Sequence, residues 1–240
     1  MCSPDHVRGD RVHSLVRPLF VRLVGLGHVP HLLRTQYRCH PDISDVCNRH
    51  FYDNSLEDGL GPEQRPSLVP GMSHAVAVVD VQGQEQYKAR SIYNDAEARA
   101  VSLLIRNLVQ AGVAPGDIGV IAFYKAHADA LKRSVGAVVS CGANGDNGDG
   151  GDGGDGEVQI ATVDSFQGAE KRVIILSTAT TKASPFVSEP TRLNVALSRA
   201  KNHLFLVGSQ ALLRSIPSLD YLLRRSQARG GYFIGGIKFG

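Results

Sequence analysis

Three short runs of mostly aliphatic residues, at 118–123, 172–179 and 203–208, limit the folds open to this chain more than any other feature. A strand with one wet face alternates apolar and polar residues, whereas these runs do not alternate, so each is covered on both sides. The segments between them are helical in pattern. Residues 94–112 open on Asn94-Asp95-Ala96-Glu97, a capping-box-like start, place Val101, Leu104, Ile105 and Leu108 on one face and stop at Gly112. Residues 126–135, 192–201, 210–216 and 219–225 read as further helices, and 75–81 and 158–163 as further strands. Buried strands spaced by helices predict an α/β fold, a parallel sheet flanked by helices on both faces.

Before this alternating region, Val12, Leu15, Val16, Leu19, Phe20, Leu23 and Val24 recur at helical spacing until Gly25 and Gly27, with Pro18 marking a kink or a later start. A short strand is expected at 31–34. Pro41 suits the first turn of a helix that runs to Phe51, and 59–71 reads as loop. Residues 1–30 thus form an N-terminal helical segment, 31–216 the main lobe, and 217–240 a C-terminal helix with a flexible, glycine-rich end. Within the lobe, residues 141–157 are an insert of Gly, Asp and Asn that lacks the proline of collagen and the apolar register of a calcium β-roll. It reads as a disordered spacer.

The charge distribution separates this insert from the rest. The 240 residues carry 26 Lys+Arg and 23 Asp+Glu, a net +3. Five of the acids lie in 140–157, leaving 26 bases against 18 acids elsewhere, a net +8 that suits a polyanionic partner. The four cysteines form no C-x-x-C pair, and no segment approaches the ~18 apolar residues of a membrane span. An intracellular protein of nucleus or cytoplasm, without a membrane partner, is expected.

Candidate chemistry begins with what is missing. No Gly-x-x-x-x-Gly-Lys-[Ser/Thr] loop and no strand-end Asp-Glu pair occurs, so the usual triphosphate cradle and magnesium carboxylate are not in this sequence. Cys39, His40, Cys47 and His50 can be drawn as a zinc set, but their spacing is wrong, and Cys39 and Cys47 read as small core residues. No metal site is assigned. Three polar segments instead border apolar elements: QYRCHP (36–41), TVDSFQGAEK (162–171) and RLNVALSRAK (192–201). Arg192 and Arg199, seven apart, are expected on one helical face. Each residue has a plainer reading too. Arg38 could be a surface arginine, Tyr37 a half-buried aromatic, Arg192 a salt-bridge holder, Asp164 an internal hydrogen-bonder, Gln167 a turn residue and His40 a helix start.

Together with IGVIAFYKAH (118–127), these segments resemble, in order and spacing, motifs of superfamily 1 helicases in the group of the nonsense-mediated-decay helicase. Cys39 stands where that group has methionine, and His127 where it commonly has glutamine. The resemblance implies the second RecA-like lobe of a two-lobe, P-loop NTPase-type motor, here in one of three settings: part of a longer helicase of 5′→3′ polarity, a split motor whose first lobe is on another chain, or a catalytically inactive free-standing module. It implies ATP with Mg²⁺ as cofactor, the metal held mainly by the first lobe, and single-stranded DNA or RNA and that first lobe as partners. By motif position, Arg38, Arg199 and Gln167 would be catalytic. Gln36, Tyr37, Gly168, Glu170 and Arg192 would bind nucleotide, and Thr162 and Lys125 nucleic acid. Alone, the chain would not hydrolyse ATP.

Overall fold

The computed structural model describes residues 19–139 and 156–239. The chain enters through α1 (Leu19–Gly25), pairs β1 (Thr35–Gln36) with β2 (Glu57–Asp58) around α2 (Pro41–Phe51), and reaches the first core strand, β3 (Val76–Asp80). A hairpin of β4 (Gln86–Lys88) and β5 (Ser91–Tyr93) precedes α3 (Asp95–Gln110). Then come β6 (Ile118–Ala122), α4 (Lys125–Val139), β7 (Gln159–Thr162), β8 (Lys171–Ser177), α5 (Pro190–Leu197), β9 (Ala200–Gly208), α6 (Gln210–Ser215), α7 (Pro217–Ala228) and β10 (Tyr232–Ile234).

Six strands form one parallel sheet in the order β10-β3-β9-β8-β6-β7. Its two faces bury two separate apolar layers. Val78, Ile121, Ile174, Leu176, Leu204 and Leu206 pack with α2, α5, α6 and α7, while Val79, Val120, Val173, Ile175, Phe205 and Val207 pack with α3 and α4. This double burial is why the strands are continuous aliphatic runs. From β3 to β6 to β7 the chain moves one way across the sheet with its helices on one face. From β7 back to β10 it moves the other way with its helices on the other face, as same-handed crossovers require.

Several boundaries differ from the sequence-based expectation. No strand forms at 31–34; the pairing starts at Thr35 instead. The helix expected over 192–201 ends at Leu197, with Ser198 as its cap, because the apolar run of β9 begins at Ala200 and has to join the sheet. The C-terminal end is not a loose tail up to its last described residue, since Tyr232–Ile234 pair with β3 and the buried Ile237 packs into the α3/α4 layer. Residues 1–18 and the greater part of the insert, 140–155, lie outside the described residues. Around α1, Leu19, Phe20, Leu26, Val29 and Leu33 are all exposed, and α1 buries none of its residues. Among the described residues no helix is long and apolar enough to cross a membrane.

An ionic knot holds α7 to α2. Arg225 reaches both Asp42 and Asp45, Arg229 lies 2.7 Å from Asp42, and Tyr221 donates to Asp45. The Arg225 side chain is only 20% exposed, so removing it leaves Asp42 to Arg229 alone and Asp45 with only the Tyr221 hydroxyl. Arg225→Ala is expected to cost about 2 kcal/mol of unfolding free energy, read as a lowered urea midpoint.

Candidate nucleotide site at the amino edge of the sheet

Three chain segments that are distant in sequence meet where β8 and β9 begin. The turn at residues 36–39 is closed by Gln36, whose Oε1 accepts from the backbone N–H of Arg38 and of Cys39, both at 2.9 Å, and whose amide donates to the Cys39 carbonyl at 3.0 Å. His40 N–H then donates to the Lys201 carbonyl at 2.8 Å, fastening this turn to β9. Arg65 braces it from outside, donating to the Tyr37 and Arg38 carbonyls. Cys39 and Cys47 sit in the core beneath, and burial pushes the Cys39 thiol up to about 12. His40 Nδ1 caps α2 by accepting from Asp42 N–H.

The turn thereby aims Arg38 at Glu170, the residue just before β8. Arg38 Nε lies 2.5 Å from one Glu170 oxygen and Lys201 Nζ 2.8 Å from the other. The Lys201 ammonium first, and Arg38 after it, hold the Glu170 carboxyl below the usual carboxylate range. Arg199 stands in the α5–β9 turn, its Nε donating to the Val195 carbonyl at 2.9 Å and its Nη1 to the Ala169 carbonyl at 3.4 Å. Partial burial, then repulsion from Arg38, lowers its pKa from the ordinary guanidinium value. Two cations therefore share the Glu170 carboxylate and a third, Arg199, stands beside them without an acidic partner of its own among the described residues, an arrangement that a polyanion would relieve. Tyr37 is 64% exposed beside this cluster, its ring over Gly59, where an added Cβ would come within 2.3 Å of it.

The structure brings together Tyr37, Arg38, Glu170 and Arg199, with Gln167 and Gly168 just ahead on the β7–β8 turn. Gln167 is exposed, and Gly168 has φ +89° with open space where a Cβ would stand, so the turn needs glycine for its backbone and leaves room above it. Gln36 is engaged within its own turn. Arg192 and Arg199 do not share a helical face, because the helix stops between them. Arg192 is instead held by its own neighbourhood: it stacks 4.1 Å over Phe186, donates to the Phe186 carbonyl at 2.9 Å, and pairs with Glu189 and with Asp164. Thr162 and Lys125 lie at the opposite, carboxyl edge of the sheet. Thr162 bonds Ser165 within the turn, and Lys125 is exposed at the start of α4.

Thr162 thus stands at a carboxyl strand end, whereas the arginine cluster forms at the amino ends of β8 and β9. Sequence reasoning missed Lys201, which sits inside a recognised motif, and Arg65, which sits in a loop with no motif around it. It also missed Glu97. Wholly buried on α3, Glu97 accepts from Ser177 Oγ at 2.7 Å and Ala179 N–H at 2.8 Å, while His127 Nε2 lies 2.8 Å from the same Ser177 hydroxyl. The capping-box-like start expected at 94–97 does not use Glu97, since the Asn94 side chain alone caps the helix. Among the described residues, no group of three or more His, Cys, Asp or Glu side chains is gathered as metal ligands.

A family model described as an AAA domain matches residues 15–211. The chain is 39% identical to mouse 5′-3′ DNA helicase ZGRF1 over 215 residues, 88% of this chain and 11% of that protein. It is 33% identical to the Drosophila melanogaster regulator of nonsense transcripts 1 homolog over 219 residues (88% and 18%), and 33% identical to the Saccharomyces cerevisiae ATP-dependent helicase NAM7 over 229 residues (90% and 22%). The chain thus spans between 11% and 22% of these curated relatives. The C-terminal domain of a possible DNA helicase from Lactobacillus plantarum superposes with a TM-score of 0.44 at 16% identity, covering 83% of this chain and 99% of that one. With a family match over most of its length and its motifs folded around one sheet, the chain belongs to the superfamily 1 helicases of the nonsense-mediated-decay-helicase group, as their C-terminal RecA-like lobe.

Proposed function

We propose that this lobe closes over ATP bound to a phosphate-loop lobe and converts its hydrolysis into 5′→3′ movement along single-stranded DNA or RNA. The gathering of Arg38, Glu170 and Lys201 into one ion cluster with Arg199 beside it, from three separate motifs, carries this reading. In it the Arg38–Glu170 pair is the resting arrangement. When the lobes close, Arg38 swings from the carboxylate to the γ-phosphate, joined by Arg199, and Glu170 turns to the ribose hydroxyls. Tyr37 offers its exposed ring to the adenine, and Gln167 and Gly168 border the phosphates. A planar, permanently charged guanidinium suits this role because it can hold two phosphate oxygens as charge develops on them. Gln36 and Arg192 serve by fixing the turn and loop on which the others stand.

Mg²⁺ in such a motor neutralises the β- and γ-phosphates, and its carboxylate ligands fit the first lobe, not the cation-rich cluster here. The exposed apolar residues around α1 offer that lobe a surface to pack against. Thr162 and Lys125, on the far edge, would contact the phosphates of the bound strand, giving salt-dependent, weakly sequence-specific binding.

The test is ATP hydrolysis measured on the chain alone and together with a phosphate-loop lobe, supplied on the same polypeptide or a second one, with and without single-stranded DNA or RNA. Strand-stimulated turnover is expected only in the combined form. Hydrolysis by the chain alone, or a combined form indifferent to Arg38→Ala, would sink the reading.

A further inference from the structure

The carboxyl edge of the sheet carries a second organised surface, built on the β4–β5 hairpin, which lies outside the helicase motifs and stands next to Lys125. Tyr87 of this hairpin is 71% exposed, yet it is not a free side chain. Its hydroxyl donates to Glu85 Oε1 at 2.8 Å. The other Glu85 oxygen accepts from Thr180 Oγ1 at 2.7 Å and from the backbone N–H of Thr181 at 2.9 Å, in the loop that leaves β8. From the other side, Ser91 Oγ accepts from the Ala126 N–H at 3.0 Å, so the hairpin is also tied to the first turn of α4, beside Lys125. Tyr87 is thus a tethered ring with its face open to solvent.

The neighbourhood is aromatic and cationic. Tyr124, just after β6, lies within electrostatic reach of Tyr87 and packs 5.3 Å from Phe186, which also carries the Arg192 guanidinium over its ring. Tyr124 also shares a hydrogen bond with Ser184 in the β8–α5 loop. Lys88 and Arg90 are exposed on the hairpin, Lys125 on α4 and Lys182 on the loop. The carboxylate of the hairpin segment, Glu85, is saturated by its donors, which hold it in its charged form as a structural bolt. Among the described residues Lys88, Arg90, Lys125 and Lys182 form no ion pair, and anchored rings among such cations are what a stacked, unpaired base and its phosphates require.

We infer that the β4–β5 hairpin is a base-stacking platform for single-stranded nucleic acid, with Tyr87 as its stacking ring and Lys88, Arg90 and Lys125 following the backbone. The inference rests on the strand-binding function proposed above and adds the element that would grip the bases as well as the phosphates.

The experiment titrates fluorescein-labelled oligo(dT) and oligo(U) of about twelve nucleotides with the full chain, by anisotropy at low and moderate salt. Tyr87→Ala is expected to raise Kd by about five- to a hundredfold with an unchanged melting temperature, since the ring is largely outside the core. Tyr87→Trp is expected to keep the affinity within about twofold, because any aromatic face can stack. It also creates the single tryptophan of a chain that has none, and saturating oligonucleotide should quench its emission. Lys125→Ala serves as the phosphate-contact comparison and should flatten the salt dependence by about one unit of slope. If the wild-type chain binds but Tyr87→Ala binds equally and the tryptophan is not quenched, the platform is wrong while the strand-binding reading stands. If the wild-type chain binds neither oligonucleotide, that reading fails and the platform with it.

Discussion

Replacing Arg199 with alanine, in a motor where this lobe faces a phosphate-loop lobe, is expected to lower ATP turnover by about a thousandfold or more and to leave ATP affinity within about tenfold. The asymmetry follows from where the side chain stands. Arg199 is on a two-residue turn between helix and sheet, held by the Val195 and Ala169 carbonyls, and in the proposed function it comes to the phosphates only when the lobes close. Its interaction therefore belongs to the transition state more than to the bound ground state, and its loss falls on kcat. Arg199→Lys should rescue little, since a lysine cannot make both carbonyl contacts and still present a planar fork. Arg38→Ala differs in a way that can be measured. It also frees Glu170 from its 2.5 Å partner, so KM should move along with kcat. Single-turnover hydrolysis beside equilibrium nucleotide binding separates the two. A variant at Arg199 with normal turnover would remove this arginine from the chemistry.

The largest effect on stability is expected at Glu97. Glu97→Ala takes away the acceptor for Ser177, Thr178 and the Ala179 N–H at once, in a wholly buried place where Ala179 is held at φ +65°. A loss of about 3–5 kcal/mol is expected, enough to unfold a marginal lobe. Glu97→Gln keeps the shape and tests the charge. Burial lifts the Glu97 carboxyl from 4.5 to about 7, so between those values the folded protein holds a proton that the unfolded chain has released, and stability falls as pH rises. His127 has the opposite sign. Burial lowers it from 6.5 to about 4, so stability rises with pH across that range, and His203, lowered to about 4 for the same main reason, adds to the rise. In the wild-type chain Glu97 offsets one of the two histidines. In Glu97→Gln that offset is gone, and urea unfolding from pH 4.5 to 7 should gain about 3 kcal/mol more than the wild type does over the same range. Parallel curves would show that Glu97 is ionised throughout.

Much of the core was legible because double burial leaves a direct trace: a strand with no wet face has no polar residues to alternate with. What escaped was decided by tertiary contacts. Residues 192–201 keep helical spacing to the end, yet Ala200 leads an apolar run that has to enter the sheet, so the helix stops four residues short and Arg199 comes to stand on a turn. The β4–β5 hairpin turns through Ala89 and Arg90 at φ 45° and 66°, the left-handed region normally marked by Asn-Gly, and neither residue announces it. The C-terminal glycines suggested looseness, whereas Tyr232 donates to the buried Asp80 at 2.8 Å and draws its segment onto the sheet edge. At the site, the motifs located Arg38, Glu170 and Arg199 as residues. That they assemble at the amino edge, away from Thr162, depends on the path of the β7–β8 connection, which no local pattern records.

That connection has a mechanical consequence. In eight residues, 163–170, it runs from the edge of the sheet that holds Thr162 to the edge that holds Glu170, without a helix in between. Phe166, midway and fully buried, presses on Gly119 so closely that a Cβ there would come within 2.6 Å of its ring. A strap fixed at both ends by strands and pinned at its middle has no slack to absorb a displacement. In the proposed motor, a tilt imposed on one edge of the lobe is expected to reach the other as motion of the whole sheet, the behaviour of a stiff lever rather than of a spring.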